Sequence, residues 1–498
     1  MLLRSGFKHL LLAVVYGSLG LVLGGVVIFS LHMRDRPDLS PWHEAALDEE
    51  FTVASASRVT DLEAYRRHED ALFDQLREQV LDRVRSLPSG QQRLNRYAAG
   101  SWVDPLGFDH NWNRTFELQV DDPRAGFLML HGLSDSPYSM RALGESLHAR
   151  GAWVVGLRLP GHGTAPAGLA RVDWRDFTAA VRLAARDMAA QLGPGRPLYI
   201  AGYSNGAALA VEYTLAALED KALPMPAGLL LLSPALAVSP TAALAQWNLR
   251  LAKLPGMKKL AWLSIQPEYD PYKYNSFAVN AGEQIYRLTR TIAERFARLD
   301  NGRGVANFPP VLAFQSVVDA TIPAEAVVQQ LFARLAPNGH ELVLFDINRE
   351  AETNALFAKD PRAGINALFE TRQPFNLTLI TNRDAGSLEL VALHQAEGAT
   401  EITRQETGLV WPDGIFSLSH LALPFPPDDP LYGIAKHEGE AGLPALGSVD
   451  LRGETGVLQV PLSQLMRLRY NPFFDYLEGR VTDQYLPLTR ASINDAKK

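Results

Sequence analysis

From Leu10 to Leu31 the chain carries no charged side chain, and Arg4 and Lys8 stand just before that run. At roughly 22 residues it is long enough to cross a hydrocarbon core of about 30 Å as a helix. No convincing small-x-small site, of the kind that ends a cleaved signal, follows it. The pattern predicts a retained transmembrane anchor over 10–31. On the far flank Arg34 and Arg36 are offset by Asp35 and Asp38, so the charge bias predicts an internal N-terminus. The body would then lie outside the cytoplasm, on the periplasmic face in a bacterium. Residues 32–111 read as a juxtamembrane linker and an amphipathic helix. Between Asp61 and Leu87 the positions Leu62, Tyr65, Leu72, Phe73, Leu76, Val80, Val84 and Leu87 favour one face, and charges fill the other. That is the pattern of a surface helix docked on a folded body.

From about Trp112 the period changes. Phe116–Val120 alternates as a strand, and Gly126–Leu130 and Ala152–Leu157 are continuous apolar runs, suited to strands buried on both faces. Residues 175–192 predict a helix, Pro197–Ala201 a strand, Ala207–Leu218 a helix, and Gly228–Leu232 and Val311–Phe314 further strands. Alternation of this kind implies parallel pairing in a three-layer α/β sandwich. Two stretches interrupt it. Residues 235–305, with Trp247, Trp262, Tyr269, Tyr272 and Tyr274, read as a helical cap. Residues 347–412 hold their own strand candidates, Phe375–Ile380 and Leu388–Leu393, and read as an insertion or sheet extension. Residues 436–498, ending in an apparent helix around Asn471–Leu477, form a C-terminal extension closing on the domain.

Composition narrows the chemistry. The formal charge of −7 over 498 residues gives no reason to expect nucleic acid, whose partners usually carry a basic patch. The absence of cysteine excludes disulfides, thiolate catalysis and cysteine zinc sites.

Leu198 to Ala208 runs from an apolar strand into a helix through Gly202-Tyr203-Ser204-Asn205-Gly206. A serine projecting from a tight strand-to-helix turn needs glycine two residues either side, so that neighbouring backbone can approach without a Cβ clash. The helix N-terminus behind it supplies a positive dipole and a free N–H for a developing oxyanion. Upstream, His131-Gly132-Leu133 ends a buried strand, where a second oxyanion donor is supplied in this architecture. The two donors would be the backbone N–H groups of Leu133 and Asn205, with His131 shaping the loop. A Gly-rich turn, Leu159-Pro160-Gly161-His162-Gly163, follows the next strand.

Taken in that order, His131-Gly132, Leu159–Gly163 and Gly202–Gly206 resemble the α/β-hydrolase superfamily, and within it the monoacylglycerol lipase, lysophospholipase and carboxylesterase branch. The resemblance covers roughly Phe116 to Gly433, with 347–412 departing from the family pattern. It implies an α/β-hydrolase fold over 112–435, a mostly parallel central sheet flanked by helices. It also implies an acid after a later strand and a histidine near the end, in the order Ser, acid, His. Asp319, between the strand at 311–314 and Pro323, fits the acid loop; Asp346, after the next strand, competes. Among 12 histidines, His340 and His394 flank strands, whereas His420 lies in an apolar loop after the extra segment and fits the family's base. Asp428 and Asp429 could cradle a cation, but paired acids in a Pro-rich loop are usually solvated, and no metal or other cofactor is expected. The resemblance implies a serine hydrolase in which Ser204 attacks a carboxylic ester, His420 takes its proton and Asp319 orients His420. The aromatic cap and the tether favour a small-molecule ester, apolar and lipid-derived. An acyltransferase or an aminopeptidase on the same fold, or a membrane-tethered binding protein with a vestigial site, are the alternatives.

Overall fold

The computed structural model describes residues 2–85, 92–237, 250–252, 254, 256–350, 362–434, 446–448 and 459–487; within these, the side chains of 2–8, 10, 11, 22, 26–32, 362, 363, 448 and 462 lie outside the description. Apolar runs at regular intervals become strands: β1 (Phe116–Leu118), β2 (Ala125–Leu130), β3 (Ala152–Leu157), β4 (Leu198–Tyr203), β5 (Gly228–Leu232), the short β6 (Trp262–Ser264) and β7 (Phe277–Ala278), then β8 (Val311–Ser316), β9 (Glu341–Phe345), β10 (Asn376–Asn382), β11 (Glu389–Gln395) and β12 (Ile402–Val410). Ten of them form one sheet in the order β1-β3-β2-β4-β5-β8-β9-β10-β11-β12, and β6 and β7 pair separately. The strands from β3 to β10 in that order run parallel. β1 joins antiparallel at one edge, and β11 and β12 antiparallel at the other.

Both faces of the parallel strands are covered, which is why their central positions are mostly apolar. Successive side chains alternate faces. Leu128, Leu130, Ile200 and Leu231 enter one core with α4 (Trp174–Leu192), α5 (Asn205–Glu219) and α6 (Val279–Leu299). Phe127, Met129, Ala201 and Leu230 enter the other, with α3 (Arg141–Ala149) and α9 (Phe474–Tyr485). Among the described residues, the remaining helices of seven residues or more are α1 (Leu2–Asp35), α2 (Leu62–Leu76), α7 (Ala324–Gln330) and α8 (Arg362–Phe369). The periodic stretch read over Asp61–Leu87 is helical from Leu62 to Arg85, through a π-helical turn at Arg77–Leu81; Leu87 lies outside the described residues.

The 347–412 stretch supplies β10, β11 and β12, so it is a sheet extension. β12 gave no signal because no residue along it is buried and its sequence does not alternate. The 235–305 stretch is more than a cap. Trp262, Tyr269, Tyr272 and Tyr274 are buried, but α6 packs on α5 as part of the helical layer, and Trp247 lies outside the described residues. The anchor expected over 10–31 falls within α1. Among the described residues, no helix is long and apolar enough to cross a membrane, so the structure adds no support for a span. The described apolar side chains of α1, from Leu12 to Leu23, are exposed.

The N-terminal region is tied to the sheet through one buried cation. Arg158, fully buried just after β3, gives Nη2 to Glu50 at 2.8 Å and Nε to Glu69 at 2.9 Å. Glu69 also accepts from the Thr115 hydroxyl at 2.7 Å, and the Tyr65 hydroxyl donates to the Arg158 carbonyl at 2.8 Å. Further along the linker, His43 Nδ1 accepts from the Ser40 N–H at 2.9 Å, which leaves Nε2–H to donate to Ser276 Oγ at 3.0 Å. Burial lowers His43 to about 4 and His162 to about 3.

Arg158→Met should lower unfolding stability by about 3–5 kcal/mol, the cost of stranding one partner of a buried ion pair, and denaturant titration measures it. A second expectation follows from the histidines. Unfolded histidine titrates near 6.5, so between ~6.5 and ~4 the unfolded chain takes up protons that folded His43 and His162 refuse. Stability should be full above about pH 6.5 and fall as pH drops from there. Melting curves across that window should show a shallower fall in His43→Gln than in wild type; parallel slopes would reject the assignment.

Candidate active site

Ser204 stands at the turn between β4 and α5 with φ 54° and ψ −113°, a left-handed conformation that side chains avoid at a cost of roughly 1–3 kcal/mol. The flanking glycines explain how the turn closes. A Cβ on Gly202 would sit 2.5 Å from the Ala207 nitrogen, and one on Gly206 would collide with the Leu130 carbonyl. The first turn of α5 therefore lies directly on the end of β2, beside the His131-Gly132-Leu133 loop.

His131 is fully buried and locks that loop. Its Nε2 accepts from the Leu159 N–H at 3.0 Å, so Nδ1 carries the proton and donates to the Gly132 carbonyl at 2.9 Å. Burial, with the neighbouring His162 ring adding to it, holds His131 well below the ordinary histidine range and keeps it neutral. The cap clamps the same loop from outside: the Tyr274 N–H donates to the Ser134 carbonyl at 2.8 Å, and the Tyr274 hydroxyl accepts from Thr164 N–H at 2.7 Å. The turn after β3 is thus absorbed into the support of the loop after β2. Leu133 lines the cavity above Ser204. Asn205 opens α5, where the first N–H groups have no acceptor within the helix.

The chain brings Asp319 and His420 to this point from opposite directions. Asp319 follows β8 by a few residues. Its Oδ1 accepts from the N–H groups of Thr321 at 2.8 Å and Ile322 at 2.9 Å, and its Oδ2 accepts from Gln315 Nε2 at 3.0 Å. His420 returns after β12 on a loop fixed at three places: Tyr203 Oη donates to the His420 carbonyl at 3.2 Å, Ser316 Oγ to the Leu418 carbonyl at 2.8 Å, and Ser419 Oγ to the Leu468 carbonyl. Its Nδ1–H donates to Asp319 Oδ2 at 2.7 Å, and Nε2 lies 3.0 Å from Ser204 Oγ. With Nδ1 protonated, Nε2 is the acceptor for the serine proton. Burial pushes the Asp319 carboxyl up, but the bond and charge from His420 and the two backbone donors outweigh it and hold the group below its usual value.

The competing candidates are engaged elsewhere. Asp346 grips Arg349 through both oxygens, at 2.5 and 2.7 Å, and accepts from Thr381 Oγ1 at 2.7 Å. His340 donates to the Ala336 carbonyl and His394 bonds Thr378. Asp429 is buried between Tyr138 Oη at 2.9 Å and Arg141 Nη2 at 3.1 Å, while Asp428 is exposed.

Over Ser204 opens a cavity of about 380 Å³, within the range of small-molecule sites. Leu133, Ala235, Ala237, Phe277, Ile285, Ile322 and Leu421 give it an apolar wall. Its charged lining, Asp135, Lys273 and Arg467, was not found from the sequence. Asp135 lies two residues past the oxyanion loop, but Lys273 and Arg467 sit in segments without a motif, and only the fold brings them here.

Residues 121–348, just under half of the chain, match the family model described as serine aminopeptidase, S33. No curated protein sequence is similar at a significant level. Among solved structures, the chain is similar to a metagenome-derived lipolytic enzyme described with LipS and LipT (22% identity, 52% of this chain and 98% of that one, TM-score 0.38). It is similar also to the monoacylglycerol lipase of Paleococcus ferrophilus (20% identity, 51% and 97% covered, TM-score 0.35) and to a monoglyceride lipase of Saccharomyces cerevisiae (18%, 47% and 81%, TM-score 0.34). The family match lies on the parallel sheet, with Ser204 at its strand-to-helix turn, so residues 121–348 carry the fold of an α/β-hydrolase.

Proposed function

We propose that this chain hydrolyses carboxylic esters through an acyl-enzyme on Ser204, with His420 as general base and acid and Asp319 as its orienting carboxylate. The observation that carries the reading is the unbroken hydrogen-bond chain from Asp319 Oδ2 through the His420 ring to Ser204 Oγ, at 2.7 and 3.0 Å. An ester carbonyl above Ser204 would turn its oxygen toward the N–H groups of Leu133 and Asn205. His420 Nε2 takes the serine proton as Oγ attacks, then gives it to the departing alkoxide. Water enters by the same route in reverse and releases the acid. Asp319 stabilises the imidazolium that forms in each half-reaction.

The apolar wall of the cavity favours an acyl chain. A peptide substrate with a free N-terminus would want a carboxylate for its ammonium. The two carboxylates near Ser204 are both engaged: Asp135 with Lys273 Nζ at 2.6 Å, Asp319 with His420. That favours esters over aminopeptidase action. We also propose that residues 10–31 tether the chain to a membrane with the catalytic domain outside the cytoplasm. This rests on the uncharged run itself and on the exposed apolar side chains of α1, a surface that soluble monomers rarely leave bare.

Ser204→Ala and His420→Ala should each lower ester turnover by 10³-fold or more, roughly, and the double variant should be no worse than either, because the residues act as a unit. A fluorophosphonate probe should label wild type and not Ser204→Ala; equal labelling would move the nucleophile elsewhere. Alkaline carbonate should leave the full chain in the membrane pellet and release a chain starting at residue 36, whereas release of both would remove the tether.

A further inference from the structure

Three charged side chains line the cavity over Ser204: Asp135, Lys273 and Arg467. Two of them cancel. Lys273 Nζ lies 2.6 Å from Asp135 Oδ1, and that pair is largely withdrawn from solvent. Arg467 is different. Among the described residues its guanidinium has no hydrogen-bond or ion-pair partner, and it is only half-buried, so it stays accessible from the cavity. Arg469, two residues along, pairs with Asp270 at 3.4 Å; Arg141 and Arg158 are likewise paired. Among the described residues, Arg467 is thus the charge on the wall of this cavity that is left without a partner.

The backbone around it is not loose. Ser419 Oγ donates to the Leu468 carbonyl, which joins the segment of Arg467 to the loop carrying His420. Arg467 also lies close enough to the Tyr203 hydroxyl to act on it. Burial pushes that hydroxyl up, as do the nearby Asp135 and Asp319 charges, while Arg467 pulls the other way. The same Tyr203 hydroxyl donates to the His420 carbonyl. A positive charge is thus held beside the reacting groups, next to an otherwise apolar wall.

We infer that Arg467 is a specificity residue that binds an anionic group of the substrate, so that the preferred ester carries both an apolar chain and a carboxylate or phosphate. The inference rests on the ester-hydrolase reading and narrows it. A planar guanidinium offers paired N–H donors that match the oxygens of either anion. In a partly desolvated site such a charge-assisted bond is stronger than a neutral one. The anion could sit on the acyl side, as the free end of a dicarboxylic monoester, or on the alcohol side, as a glycerol phosphate; the chemistry at Arg467 is the same.

The test uses full-length protein and two matched pairs of substrates. p-Nitrophenyl hexanoate is set against the mono-p-nitrophenyl ester of adipic acid for the acyl side, and monolauroylglycerol against its 3-phosphate for the alcohol side. Wild type should favour the anionic member of one pair in kcat/KM by about tenfold or more, the order a hydrogen bond to a charged group supplies, chiefly through KM. The pair that responds identifies the side. Arg467→Gln should collapse that ratio toward one, and Arg467→Lys should keep part of it. Equal use of both members in both pairs by wild type overturns the inference while leaving the ester-hydrolase reading intact. So does an Arg467→Gln variant that loses both members in proportion, since that is a structural effect. A wild type that turns over none of the four, with no probe label on Ser204, overturns the reading and the inference together.

Discussion

Ser204 is held at φ 54° because the two glycines around it let α5 rest on the backbone at the end of β2. That contact does more than expose a hydroxyl. It fixes the distance between the serine and the loop carrying Leu133, so the positions of the Leu133 and Asn205 N–H groups relative to each other are set by a backbone-to-backbone packing that tolerates no added carbon at Gly206. The strain of the turn is stabilised by the cores on both faces of the sheet. His131 then ties the β2 loop to the turn after β3, and the Tyr274 backbone closes it from the cap.

Several buried charges of the molecule are neutralised by a neighbour, because an unpaired buried charge is costly. Arg158 with Glu50 and Glu69, Asp429 with Arg141, Asp346 with Arg349 and Asp135 with Lys273 each neutralise locally. Asp319 is the member of this set whose partner is a histidine ring, and the bond from His420 together with the two backbone donors holds its carboxyl below the usual value. Arg467 stands apart from these pairs: it is half-buried at the cavity wall and, among the described residues, has no ion-pair partner.

The chain takes a long way from acid to histidine. Between Asp319 and His420 it builds α7, β9, α8, β10, β11 and β12 before returning. Such an excursion is tolerated because adding strands at an open edge satisfies their backbone groups without disturbing the strands already paired. The return is pinned by Tyr203, Ser316 and Ser419, so the length of the detour does not loosen the histidine.

Much of the scaffold was legible in the order of residues. Parallel strands buried on both faces are mostly apolar, so β2, β3, β4, β5 and β8 announced themselves, and the glycines at 202 and 206 are demanded by a local turn. Those are constraints between neighbours, which a linear sequence records directly. β12 left no trace, because an edge strand exposed along its length carries no hydrophobic alternation. α6 was read as cap when it completes a core layer, since amphipathicity states that a helix has a buried face but not what covers it. Asp319 and Asp346 were separable only when folding gave one of them an arginine and the other a histidine. Lys273 and Arg467 came to the cavity by the same route: a charge beside a reacting serine is defined by distance across the fold, and residues far apart in the chain acquire that distance only when the tertiary structure forms.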